Sequence, residues 1–144
     1  MIYIDPMTNS NDDVCVAMRA RRLSRILTRA YDEALRELGL TVPQFTLLKA
    51  TAALEPVSPA EIGRKLDLEK STLSRTLGKM MERGWLEEHR GEDGGKVIVT
   101  TTFGRKTLRE AHPVWSEVQG RASQQLGSSE LEALDRMIDQ AHKV

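Results

Sequence analysis

Ser58-Pro59-Ala60-Glu61-Ile62-Gly63-Arg64-Lys65-Leu66, then Asp67-Leu68-Glu69, then Lys70-Ser71-Thr72-Leu73-Ser74-Arg75-Thr76-Leu77-Gly78-Lys79-Met80-Met81-Glu82-Arg83, is the stretch on which the reading of this chain turns. Serine followed by proline and, three residues on, glutamate is a helix start: a cap, a proline in the first turn and an acid reaching back. The helix so opened is short and carries Ile62 and Leu66 inward. After the brief Asp67–Glu69 turn a second helix runs from about Lys70 to Arg83, buried through Leu73, Leu77 and Met80 and stopped by Gly84. A short capped helix, a tight turn and a second helix form a helix-turn-helix, the unit whose second helix enters the major groove of DNA.

The outward face of that second helix is Lys70, Ser71, Thr72, Arg75, Thr76 and Lys79, with Ser74 at its edge. Hydroxyls reach phosphates or base edges without bulk, and arginine forks onto guanine. No acid interrupts the face between Lys70 and Met81. The plainer alternative is a solvated helix face. The capped helix before it and a hairpin after it weigh against that.

Working outward, Trp85–His89 and Lys96–Thr100 read as two short strands around Arg90-Gly91-Glu92-Asp93-Gly94-Gly95, a run rich in hairpin residues. Arg90 and Lys96 flank the tip and offer wing contacts to the DNA backbone or minor groove, opposed by Glu92 and Asp93. An ordinary surface turn is the rival reading. Upstream, Val14, Met18, Ile26, Leu27, Ala34, Leu35 and Leu38 recur at helical spacing up to Gly39. A second helix restarts at Thr41-Val42-Pro43-Gln44 with Phe45, Leu48 and Ala52 inward, and Pro56 closes it. Downstream, a helix from Arg105 carries Leu108, Trp115 and Val118, with Pro113 as a place for a kink. A last helix follows Gly127-Ser128-Ser129, where Ser129 and Glu132 suggest another capping box.

The expected fold is therefore mostly α with a small β-hairpin wing, a winged helix-turn-helix plus a helical dimerisation region. Residues 1–11 read as an N-terminal arm and 12–144 as a single domain. Within it, 41–100 form the DNA-binding lobe, while 12–39 and 105–144 supply dimerisation helices. Leu108, Trp115, Leu126, Leu131, Leu134 and Ile138 offer more apolar surface than so lean a fold hides alone, which implies a homodimer interface.

Composition narrows the function. Lysine plus arginine equals aspartate plus glutamate, 21 each, so nucleic-acid binding must rest on a local patch. One cysteine excludes an internal disulfide, and no Cys/His spacing suggests a metal site; no cofactor is expected. Paired carboxylates, a nucleophile with its base and a glycine-rich phosphate loop are all missing, which argues against an enzyme. With no membrane span and no signal-peptide layout, a reducing cytoplasm is the expected address.

These residues resemble the multiple-antibiotic-resistance regulator (MarR) family of winged-helix repressors from about Asp12 to the C-terminus. The resemblance rests on Gly39-Leu40-Thr41-Val42-Pro43-Gln44-Phe45-Thr46-Leu47-Leu48, Glu61–Leu66, Ser71–Arg75, Met81-Glu82-Arg83-Gly84-Trp85-Leu86 and Val97–Thr100 followed by Gly104. It implies a two-fold dimer whose recognition helices meet successive major grooves of a pseudo-palindromic operator. It also implies release of DNA by a small, often phenolic, effector or an oxidant. The wing departs from the family's Asp-x-Arg signature: after Asp93 the arginine position is Gly95, and Lys96 comes next.

Cys15 stands near where the hydroperoxide-sensing branch of that family keeps its reactive cysteine, and a helix start with Arg19 nearby favours thiolate. The tyrosines of that branch are not matched, Tyr31 being off by two, so Cys15 reads either as a packed residue or as a redox sensor. Arg19, Arg21, Arg22, Arg25 and Arg29 make the first helix basic, for an acidic effector, for acids of a partner subunit or simply for water. Trp115 and Met18 read as core or dimer packing, or as the lining of a ligand pocket. The alternative to operator binding is a winged-helix module that contacts protein and no DNA.

Overall fold

A computed structural model describes residues 15–144; the expected arm at 1–11 and the expected helical start at Asp12 and Val14 lie outside them. The elements are α1 (Val16–Leu35), a 3₁₀ turn (Arg36–Leu38), α2 (Val42–Leu54), α3 (Pro59–Leu66), α4 (Lys70–Glu82), β1 (Leu86–Arg90), β2 (Lys96–Thr100), α5 (Thr102–Leu126) and α6 (Ser128–Ala141). The mostly helical winged fold expected above is the one found.

Local chemistry explains the boundaries. Gly39, at φ 70°, takes the left-handed position that ends the first helix through its 3₁₀ turn. Thr41 and Gln44 form both bonds of a capping box: the Gln44 amide donates to Thr41 Oγ1 at 3.4 Å and the Thr41 amide to Gln44 Oε1 at 3.0 Å. Asp32 adds a tie from α1 by accepting from the Val42 amide at 2.6 Å. At Ser58 only one arm of the box exists, the Glu61 amide donating to the serine hydroxyl at 3.2 Å. The helix-turn-helix corner bends through Asp67 at φ 52°.

Several expectations are corrected. α2 buries Phe45, Leu47, Leu48 and Thr51, with Ala52 half-buried, because the helix packs against α1, α5 and β2 at once. β1 starts one residue later than expected, since Trp85 is committed to the core at 1% exposure. α5 starts at Thr102, ahead of Arg105, because the Thr101 hydroxyl accepts from the Gly104 amide at 2.9 Å and caps it. Pro113 lies inside that continuous helix. The Ser129–Glu132 box does not form: Gly127 holds the cap position at φ 95°, which puts Ser129 within the first turn, where it donates to Glu130 Oε2.

The core lies beneath α4 and the wing, with Phe45, Leu48, Ile62, Met80, Trp85 and Ile98 almost fully buried. Each such side chain contributes about 1.5–3 kcal/mol on burial. The hairpin pairs in register from Leu86 opposite Thr100 to Arg90 opposite Lys96. Its second strand is anchored to the loop after α2 by a two-way bridge between Val57 and Ile98. Glu55 extends the anchor, accepting from the Thr100 amide at 2.6 Å and facing Arg105 at 3.7 Å, while Arg105 donates to the Thr100 carbonyl at 2.7 Å. The wing is thereby held at its root by α2 and α5. None of the helices among the described residues is long and apolar enough to cross a membrane.

Candidate nucleic-acid interface

α4 lies with Leu73, Leu77 and Met80 inward and its polar face outward. Lys70, Ser71, Ser74, Arg75 and Lys79 are exposed, and Thr72 and Thr76 half-buried. Thr76 Oγ1 donates to the Thr72 carbonyl at 2.9 Å, so its hydroxyl proton is engaged within the helix and it faces outward as an acceptor. The first turn carries no acid and Glu69 does not cap it with its side chain, leaving its amides available to an anion. Among the described residues, no acid pairs with Lys70, Arg75 or Lys79.

The wing is less free. Period-two alternation puts Glu88, Arg90, Lys96 and Ile98 on one face of the hairpin. Lys96 Nζ lies 3.2 Å from Glu88 Oε1, and Arg90 Nη1 donates to the Gly94 carbonyl at 3.3 Å across the tip. Asp93 shapes the tip by accepting from the Gly95 amide at 2.8 Å, and Gly94 supplies a φ of 82°. Such exposed contacts are worth about 1 kcal/mol or less, so a phosphate competes with them readily.

A groove of about 690 Å³ joins the two elements, with Lys70 and Ser74 of α4, Lys96 of the wing and Arg64 of α3 on its walls over Leu77 and Ile98. Arg64 was not singled out in the sequence. Its only local signal is a basic residue late in the first helix of the unit, which crosses the DNA backbone in such motifs.

The residues assigned to a dimer interface divide. Leu108 and Trp115 pack against their own subunit's core. The Trp115 ring lies 5.7 Å from that of Phe45, with Lys49 Nζ 4.2 Å from its centroid. Leu126, Leu131 and Leu134 are half-buried, whereas Ile138 is 53% exposed. Met137 beside it and Val16, Met18 and Ile26 on α1 are also exposed in the single chain. Met18 and Ile26 sit at helical spacing, which cannot tell a core from a face kept for another subunit.

Cys15 is exposed at the N-cap of α1, not packed. The backbone amides of Met18 and Ala17 at the helix start hold its thiol below the usual range, with a smaller contribution from Arg21 rather than Arg19. Tyr31 is engaged elsewhere: it donates to Gln119 Oε1 on α5, and burial pushes its phenol up. Alkylation of Cys15 by iodoacetamide is therefore expected to reach half its maximal rate at a lower pH than for glutathione. Coincident rate profiles for the two thiols would remove the helix-terminus effect.

Comparison with known proteins agrees with this geometry. The MarR family profile matches residues 38–96. An uncharacterised HTH-type transcriptional regulator of Bacillus subtilis, YwoH, is 30% identical over 88 residues, which are 60% of this chain and 64% of that protein. An HTH-type transcriptional repressor of Mycobacterium tuberculosis, Rv2887, is 23% identical over 130 residues, covering 89% of this chain and 94% of its own length. The transcriptional regulator MosR of M. tuberculosis, solved in complex with DNA, superposes with a TM-score of 0.80 at 30% identity. That match covers 90% of this chain and 99% of MosR. On the profile match, the MosR likeness and the winged fold together, the chain belongs to the MarR family of transcriptional regulators.

Proposed function

We propose that this protein is a homodimeric regulator that binds a pseudo-palindromic double-stranded operator and represses the genes beside it. The observation that carries the reading is the exposed side of α4, where Lys70, Arg75 and Lys79 stand among Ser71, Thr72, Ser74 and Thr76 with no acid among the described residues paired to them. That side is open, whereas a module that only docks on protein has no need of an acid-free basic face. The solved DNA complex of MosR supports the same reading. Arg90 and Lys96 are assigned to the wing's backbone contacts, and the apolar residues of α1, α5 and α6 to the dimer body. A cytoplasmic address follows from work on DNA.

Release by a small aromatic or phenolic ligand, or by oxidation at Cys15, is the regulatory half of the proposal and rests on the family resemblance. Oxidation would pass through a sulfenic acid or a mixed disulfide. Peroxide treatment is expected to weaken operator binding by wild type and not by Cys15→Ser; equal affinities before and after treatment in both would end the redox branch.

The decisive test is Arg75→Ala in a mobility-shift titration against promoter DNA from the protein's own gene neighbourhood. Loss of a bidentate base contact costs about 1–3 kcal/mol, so affinity is expected to fall roughly 5- to 150-fold for each half-site, with relaxed preference at the matching base position. Binding as tight as wild type removes Arg75 from the recognition role.

A further inference from the structure

We propose that Arg83 is a positioning residue that couples the corner between α1 and α2 to the C-terminal end of the recognition helix, and so sets where α4 lies relative to the dimer body. This rests on the operator-binding reading above. Arg83 is the C-cap of α4. Its guanidinium carbon lies 4.4 Å from the centroid of Trp85, the most voluminous fully buried side chain, and its Nη1 donates to the Gly39 carbonyl at 3.4 Å. One side chain thereby touches a core aromatic directly after the recognition helix and a backbone turn 44 residues earlier.

The turn is built to receive it. Gly39 holds φ at 70°, and a Cβ placed there would lie 2.6 Å from Arg83 Nη2. Glycine thus answers two demands, the left-handed conformation and room for the guanidinium. Gly84, at φ 78°, turns the chain so that Trp85 folds back under Arg83. The contact joins two regions with different work: α1 belongs to the proposed dimer body, α4 to the proposed DNA face. A planar guanidinium stacks on an aromatic face and donates from its edge in one pose, which an ammonium does not reproduce.

Arg83 sits outside the Lys70–Lys79 face, so its removal leaves the number of phosphate contacts alone. Its effect falls on geometry: a dimer must present two recognition helices one helical turn of DNA apart, and slack at the root of α4 loosens that spacing.

The test uses the full chain with Arg83→Met, Arg83→Lys, Gly39→Ala and the Gly39→Ala/Arg83→Met double variant. Operator affinity is measured across a salt series, together with affinity for an operator carrying one inserted base pair between half-sites. Arg83→Met is expected to weaken natural-operator binding about five- to tenfold, the scale of a lost cation–π contact, with the salt slope unchanged. Its penalty for the inserted base pair should be smaller than wild type's, and Arg83→Lys should fail to rescue either property. Because Gly39→Ala already displaces the guanidinium, adding Arg83→Met to it should change neither DNA binding nor thermal unfolding further.

A salt slope lowered by about one per subunit would make Arg83 a phosphate ligand and overturn the proposal. Additive effects of the two substitutions, or an unchanged spacing penalty, would overturn it too. If wild type itself fails to bind DNA, the operator reading fails instead, and the thermal-unfolding cycle still reports whether residues 39 and 83 are coupled.

Discussion

Operator affinity is expected to fall by roughly 150-fold when monovalent salt rises from about 50 to 200 mM. The chain has equal numbers of basic and acidic residues, so no diffuse positive field assists binding. What remains is the local set Lys70, Arg75 and Lys79, unpaired with acids among the described residues and presented once per subunit. With Arg75 assigned to a base edge, Lys70 and Lys79 let a dimer neutralise about four phosphates, giving a slope of about −3.6 in log affinity against log salt. Lys96 adds to this only by giving up Glu88 at 3.2 Å, which makes the slope a measure of wing engagement as well. A steeper slope in wild type than in Lys96→Ala is the expected sign that the wing touches the backbone. An affinity that does not change over that salt range would dismiss the whole basic face.

Gly104→Ala is expected to be the most damaging small substitution in the fold. A Cβ at Gly104 would stand 2.1 Å from the Trp85 carbonyl oxygen and 2.9 Å from Thr100 Cγ2. The first obstruction is backbone, and that backbone is held: the Thr101 amide donates to the same Trp85 carbonyl at 3.0 Å, and the Thr101 hydroxyl donates to the Gly84 carbonyl at 2.6 Å. Relief requires α5 to lift away from the root of the wing, disturbing the Glu55–Thr100–Arg105 ties and the packing over Trp85. A loss of about 3 kcal/mol is expected, the upper end for overpacking a closed site. For a chain of this size that lowers the melting temperature by roughly 10 °C. Gly120→Ala in the same helix serves as the control, since a Cβ there meets nothing within 4 Å. It is expected to hold or raise the melting temperature, alanine being the better helix former by about 1 kcal/mol. Similar melting temperatures for the two variants would show that α5 shifts at little cost.

The pieces legible in the sequence share one property: their cause lies within a few residues. Thr41 with Gln44, Ser58 with Pro59, Gly39 and Gly84 each end or begin an element by local hydrogen bonding or backbone conformation, and each was read at its place. The helix-turn-helix followed because its punctuation and its apolar spacing agree. The Ser129–Glu132 pattern shows the limit of such reading. The same letters are present, yet Gly127 takes the cap and the serine falls inside the first turn of the helix. Trp115 shows another. Helical spacing puts it on an apolar side, and only the fold reveals that Phe45 of α2 receives it, while Ile138 and Met137 of α6 stay exposed among the described residues.

By itself, then, the order of capped and punctuated segments determined the winged architecture and named the acid-free helix, because hydrogen-bond satisfaction and side-chain periodicity act over short stretches of chain. Tertiary structure alone decided what meets across distance: Val57 against Ile98, Glu55 between Thr100 and Arg105, and Arg83 above Trp85 against Gly39. Those contacts join residues 41 to 50 positions apart, except for Arg83 and its near neighbour Trp85. Their partners are selected by the closing of the core, a global packing condition that no window of sequence contains.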